Sequence, residues 1–328
     1  MNRKRITSID VAQYAGVSTS AVSRTYSAPG KVSASTRARV LAAADALGYR
    51  PNQLARALVN SGRQGSGIVA VVMGEFDNPF QPWMFGLLTQ ALQQQGRVPM
   101  LVHVTEQCDI RARLQQALSW QVEAAIISAG SLSQEATERC LELALPMVLM
   151  GREDKRETVT AVLSDNRMAG ELAAEYLGTQ GLTQLAYIGG RQDGQASLER
   201  LAGFRSGLIQ RGLSAPVVME NRDYAYHSGY QAMSRLLREH PDIEGVFCAC
   251  DALAFGALDA LRLNGGQVCQ VVGCDDTPQA AWEGYRLTTV RQPVEQLVAQ
   301  TIHHLKQVLD GNSPTGTTVR MTPTLIVR

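Results

Sequence analysis

The chain has 328 residues, too many for one ordinary core, and its 45% apolar content is ample to bury two or three domains. Its formal charge of +1 hides an imbalance: residues 1–63 carry ten Lys or Arg against Asp10 and Asp45, a balance of +8, which leaves −7 for the remainder. The start lacks the apolar run of a secretory signal, no stretch of eighteen or more apolar residues could span a bilayer, and the six cysteines form no C-x-x-C pair, so export, membrane insertion, a disulfide framework and a structural zinc are set aside in favour of a cytoplasmic protein.

The positive charge points to a polyanion partner, and the elements that follow fit one. In "ITSIDVAQYAGVSTSAVSRTY" the apolar positions change phase at Gly16, which predicts two short helices joined by a tight turn. Ser8 is expected to cap the first, and Val11 and Ala12 to face inward. The second, "VSTSAVSR", keeps Ala21 and Val22 inward and leaves Ser18, Thr19, Ser20, Ser23 and Arg24 outward. Hydroxyls and a guanidinium on that face suit phosphates and base edges in a major groove. A third amphipathic helix, begun by Ser33 or Ser35 and stopped by Gly48, is expected to turn Val40, Leu41, Ala44 and Leu47 toward the first two.

Next comes "RPNQLARALVNSGRQGSG". Pro51 suits a helix start and Leu54, Ala55 and Leu58 give it one apolar edge, but a helix this short is marginal alone. It is expected to fold only when DNA or a second copy supports it.

On "IDVAQYAGVSTSAVSR" and "KVSASTRARVLAAADALGYRPNQLARAL" the chain resembles the lactose-repressor (LacI/GalR) family of bacterial transcription regulators. The resemblance implies that residues 51–63 form a hinge helix and linker, with Asn52, Ala55, Arg56 and Leu58 at the minor groove. Leu58 matches the leucine that wedges between central base pairs, a known way of kinking a duplex. It also implies that Thr19, Ser20 and Arg24 read the operator.

From Gly67 onward apolar strands alternate with amphipathic helices, which predicts two Rossmann-like lobes of parallel sheet covered on both faces. The first series runs through "GIVAVVM", "PMLVHV", "EAAIIS" and "PMVLMG". The second is taken to begin at "TAVLS" and to run through "LAYIGG", "PVVM", "GVFCAC", "QVVGCDD" and "LTTV". The expected organisation is a helix-turn-helix domain over 1–50, the hinge over 51–63, and an effector-binding and dimerisation domain over 64–328. Lobe one then covers about 64–160 and 292–320, and lobe two about 161–291 and 321–328.

Open α/β sheets bind ligands beyond the carboxyl ends of their strands. The polar residues that follow each strand are therefore the candidates, and Asp165 in "SDN" is one of them. The resemblance implies a periplasmic sugar-binding fold and matches its pocket positions to Asp77, Phe80, Ser128, Arg152, Arg200, Tyr224, Asp275 and Gln292. Carboxylates and arginines beside an aromatic face suit a sugar; the two arginines make a sugar acid an alternative, and the aromatic Phe80 and Tyr224 leave a nucleobase open as well. Two departures stand out: Gly151 occupies a position where many members have Asp, and Cys250 one where Asn or Ser is common.

No phosphate-binding loop, nucleophile elbow, H-E-x-x-H or strand-linked G-x-G-x-x-G occurs, so an enzyme is the weaker alternative, and no cofactor or metal is expected. A transport-type sugar-binding protein leaves the +8 segment unexplained. The expected function is a homodimeric repressor that binds palindromic operator DNA and answers to a small effector, with no membrane partner.

Overall fold

The computed structural model describes residues 6–50, 65–105, 109–143, 145–264, 268–312 and 316–328. The "RKR" start and the hinge positions Asn52, Ala55, Arg56 and Leu58 lie outside the described residues. The chain divides into two units, Met1–Ser66 and Gly67–Arg328. No described helix is long and apolar enough to cross a membrane.

The first unit is three helices: α1 (Ser8–Ala15), α2 (Thr19–Ser27) and α3 (Ala34–Leu47). Thr7, not Ser8, caps α1, because Ser8 is already helical. The Thr7 hydroxyl accepts from Asp10 N–H while the Asp10 carboxylate accepts from Thr7 N–H, a reciprocal box that satisfies two otherwise orphaned donors. Ser18 caps α2, and Ser33 rather than Ser35 caps α3. The turn depends on Gly16, whose φ of 62° ends α1. Val11, Ala12, Ala15, Val22, Val40, Ala43 and Ala44 form the core. Leu41 is 42% exposed, contrary to the expectation, because the inward stripe on α3 runs Val40–Ala43–Ala44 and Leu41 falls beside it.

The second unit is built on two six-stranded sheets. The first contains β1 (Ile68–Met73), β2 (Val98–His103), β3 (Ala124–Ser128), β4 (Met147–Met150), β5 (Thr160–Ser164) and β11 (Thr318–Met321), in the order β11-β5-β4-β3-β1-β2, all parallel. The second contains β6 (Leu185–Arg191), β7 (Val217–Asn221), β8 (Gly245–Cys248), β9 (Gln270–Asp275), β10 (Thr288–Arg291) and β12 (Thr324–Ile326), in the order β12-β10-β9-β8-β6-β7, with only β12 antiparallel. Every residue of β1, β3, β4, β5, β6 and β8 is buried, as strands packed on both faces must be.

The assignment of "TAVLS" to the second series is corrected. As β5 it pairs with β4 and β11 in the first sheet, and the chain crosses to lobe two only after Ser164. The crossing therefore follows the strand and not the nine-residue loop 151–159 that precedes it.

The helices that cover the sheets are α4 (Phe80–Gln94), α5 (Ile110–Ser119), α6 (Gln134–Leu141) and α11 (Val294–Leu309) in lobe one, and α7 (Asn166–Thr179), α8 (Gln195–Gln210), α9 (Tyr226–Glu239) and α10 (Asp251–Leu263) in lobe two. Helices α7 and α8 meet backbone to backbone. A Cβ at Gly203 would fall on the Arg167 carbonyl, and one at Gly170 on the Arg200 carbonyl. Since backbone cannot swing aside as a side-chain tip can, Gly203→Ala should cost about 1–3 kcal/mol. Urea denaturation measures this, and an unchanged midpoint would contradict the close approach.

Candidate effector cavity and DNA-reading face

In the first unit, α2 presents Ser18, Thr19, Ser20, Ser23 and Arg24 as one exposed polar face, while Val22 and Thr25 are buried beneath it. Ala21 is half-buried rather than core, and Thr25 takes the inner place because its hydroxyl donates back to the Ala21 carbonyl at 2.8 Å. The face is held from behind. Arg39 on α3 donates to the carbonyls of Ala15 (Nε, 3.1 Å) and Gly16 (Nη2, 2.9 Å), which are acceptors left free where α1 ends. Sequence reading missed this arginine, whose signal was only its place on the side of α3 that faces the turn.

In the second unit a cavity of about 70 Å³ opens where the carboxyl ends of the two sheets face each other. Lobe one supplies Glu75, Asn78, Phe80, Gln81, Ser128 and Ser164, and lobe two Asn166, Arg200, Tyr224, Cys250 and Asp275, with Gln292 at the second crossing between them. Arg200 is buried and lies 3.8 Å from Asp275. Its Nε donates to Asn166 Oδ1 at 3.0 Å and its Nη1 to the Ala249 carbonyl. Gln292 donates to Asp275 Oδ1 at 2.6 Å.

What remains free is informative. Among the buried side-chain atoms without a hydrogen-bond partner, Asp275 Oδ2, Tyr224 OH and Ser164 Oγ belong to residues that line this cavity. Each such atom costs free energy unless something pairs with it. Burial pushes the Asp275 carboxyl above the ordinary carboxylate range, and Arg200 pulls it back. Its backbone has φ 135°, a conformation that a non-glycine residue adopts only when its surroundings impose it.

The family described as "Periplasmic binding proteins and sugar binding domain of LacI family" matches residues 66–306, and "Bacterial regulatory proteins, lacI family" matches residues 8–52. The chain belongs to the LacI family. It is 31% identical to the HTH-type transcriptional regulator MalR of Streptomyces coelicolor over 97% of this chain and 94% of that one. It is also similar to the structure of a transcriptional regulator CelR–cellobiose complex (30% identity, TM-score 0.73, 99% of both chains). The lac repressor dimer bound to operator and the anti-inducer ONPF is similar over 98% of both chains, with 25% identity and a TM-score of 0.85. The protein is thus a DNA-binding transcription regulator with a periplasmic-binding-like domain, from a family of regulators rather than enzymes.

In this LacI-family chain the cavity brings together Phe80, Ser128, Arg200, Tyr224, Asp275 and Gln292 of the sequence candidates, and leaves out three. Asp77 is exposed and lines a neighbouring chamber with Phe76 and His103, and its successor Asn78 takes the cavity position. Asp165 caps α7 by accepting from Met168 N–H, and its two neighbours Ser164 and Asn166 line the cavity instead. Arg152 lines another cleft instead of the cavity, and its Nη2 donates to the Leu132 carbonyl at 3.1 Å. The Asp165 signal was present, since an aspartate just before an amphipathic helix is a helix cap first.

Gly151 and Cys250, the two departures from the family pattern, both line the cavity. Cys250 and Cys274 are buried thiols whose pKa burial raises, which makes them poor nucleophiles, and no three described His, Cys, Asp or Glu side chains are grouped to hold a metal. Asp276, beside the cavity-lining Asp275, pairs with Arg291 and Arg328, both at 2.6 Å.

Because Arg39 satisfies carbonyls that nothing else in the turn reaches, Arg39→Ala should destabilise the first unit by about 1–3 kcal/mol. Chemical denaturation followed by far-UV circular dichroism should show the first unit melting earlier while the second is unmoved, and equal midpoints would rule the clamp out.

Proposed function

We propose that the protein is an effector-controlled repressor that acts in the cytoplasm, binds a palindromic operator as a homodimer, and changes its operator affinity when a small polyhydroxylated molecule enters the cavity between the lobes. The observation that carries this is the set of unpaired buried oxygens of Asp275, Tyr224 and Ser164, supplied by both lobes and flanking Arg200. Hydroxyl-rich ligands match such a set, because each hydroxyl both donates and accepts. A ligand that touches both lobes favours one lobe arrangement over another. It then alters DNA affinity by the difference in its binding to the two, about 1–3 kcal/mol.

The structure shifts the balance between a sugar and a sugar acid. The acid reading rested on two arginines, but Arg152 is outside the cavity and Arg200 already faces Asp275. A neutral sugar is therefore the favoured effector. The comparisons support the class: the CelR relative was solved with cellobiose. Operator reading is assigned to Ser18, Thr19, Ser20, Ser23 and Arg24, with Asn52, Ala55, Arg56 and Leu58 in the minor groove. The lac repressor relative, solved as a dimer on its operator, supports this assembly.

Two experiments test the reading. Calorimetry of the full chain against neutral sugars, uronic acids and polyols should yield one class that binds, and Arg200→Ala and Asp275→Ala should keep operator binding while losing the response to that class. Variants that bind the sugar as tightly as wild type would move the effector site elsewhere. On an operator selected from random DNA, Arg24→Ala should cost about 1–3 kcal/mol and little on unselected DNA. Equal losses on both would make Arg24 a phosphate contact.

A further inference from the structure

The loop "GGRQDG" (189–194) contains the carboxyl end of β6, yet neither of its charged residues lines the effector cavity. Arg191 lies at the end of β6 in lobe two and is 9% exposed. Its guanidinium crosses the cleft: Nη1 meets Glu75 Oε1 of lobe one at 3.0 Å, and Nη2 donates to the Leu132 carbonyl of lobe one at 3.0 Å. Within its own loop it is braced by Asp193, with Nε to Oδ1 at 2.9 Å and Nη2 to Oδ2 at 3.1 Å. Asp193 crosses as well, accepting from the backbone N–H of Gln134 at the start of α6 at 3.4 Å. One arginine and one aspartate of lobe two are thus tied to three separate points on lobe one.

A side chain that only stabilised its own lobe would find its partners there, but three of these five contacts lie across the cleft. A second pair between the lobes, Arg320–Glu199 at 3.8 Å, is longer and more exposed (38% and 22%) than Arg191–Glu75 (3.0 Å; 10% and 18%), so it is better screened. The lobe-one partner, Glu75, has φ 55° and lies between the buried strand β1 and the buried Asn78. Glu75 also lines the effector cavity, so the tie adjoins the ligand site without filling it. Tyr224 links the two. A Cβ at Gly190 or Gly194 would overlap its ring, so the loop that carries Arg191 rests directly on a tyrosine whose unpaired hydroxyl belongs to the cavity lining.

We propose that Arg191 is a positioning residue that fixes the angle between the lobes from outside the cavity, through Glu75 and the Leu132 carbonyl, with Asp193 as its brace. The ligand then meets lobes already set at this angle. That last step rests on the function proposed above, but the tie itself does not.

The test measures lobe separation in the full chain without sugar or DNA. Cysteines are introduced by Glu135→Cys in lobe one and Arg222→Cys in lobe two, both exposed, in a background with Cys108→Ser and Cys269→Ser. They are spin-labelled, and the distance distribution is read by double electron–electron resonance. The otherwise wild-type pair should give one narrow distribution. Arg191→Gln should add a population at longer distance, and Arg191→Lys, which keeps a charge for Glu75 but cannot fork to Leu132, should fall between the two. If Arg191→Gln does not fold, the Glu75→Gln, Asp193→Asn double variant removes both carboxylates and should show the same broadening. A purely stabilising role would lower the melting temperature and leave the distances unchanged. Superimposable distributions in the folded variants overturn the proposal, and because no ligand is involved, that result leaves the effector reading untouched.

Discussion

The cavity depends on burying one charge. Removing a guanidinium from water costs several kcal/mol unless its field and its donors are satisfied, and Arg200 is satisfied by three elements at once: Asp275 at the end of β9, Asn166 at the start of α7, and the Ala249 carbonyl after β8. Each partner is brought in by a different strand–helix junction, so the arginine cannot be accommodated until the whole carboxyl edge of lobe two is assembled. The glycine contact between α7 and α8 serves the same end, because it sets the depth at which α8 carries Arg200. The remaining Asp275 oxygen, which the arginine leaves unpaired, belongs to the cavity lining.

The division of charge along the chain separates two tasks physically. The first unit has a small core of alanine and valine, and its polar outer face is carried on one short helix set by the Ser18 cap, a glycine turn and Arg39. The second unit has two large cores, each surrounding a sheet, and places its polar groups only where the strands end. An effector can act on the second without touching the first, provided that it changes the relation between the lobes.

Much of this was legible in the sequence. Period-3.6 patterning gave the three helices of the first unit, and uninterrupted apolar runs gave buried parallel strands. Patterning failed at β5, because a strand buried on both faces looks the same in either sheet, and only pairing reveals that Thr160–Ser164 lies beside β4. Cavity residues were legible to within one or two positions. Ser164 ends the strand and Asp165 follows it in extended backbone, where a one-residue step reverses the direction of the side chain, and the more conspicuous carboxylate drew the assignment. Arg152 drew the assignment in the same way, while its neighbour Gly151 lines the cavity. The tie at Arg191 could not be read at all, since its partners lie 116 and 59 residues away.

The central claim is that one free energy links the cavity to the operator. It is tested most directly by measuring that link from both sides: operator affinity by fluorescence anisotropy with and without a saturating sugar, and sugar affinity by calorimetry with and without saturating operator. The account predicts the same factor in both directions, roughly 5- to 150-fold. A sugar that binds the cavity tightly and leaves operator affinity unchanged, with its own affinity indifferent to DNA, would contradict it.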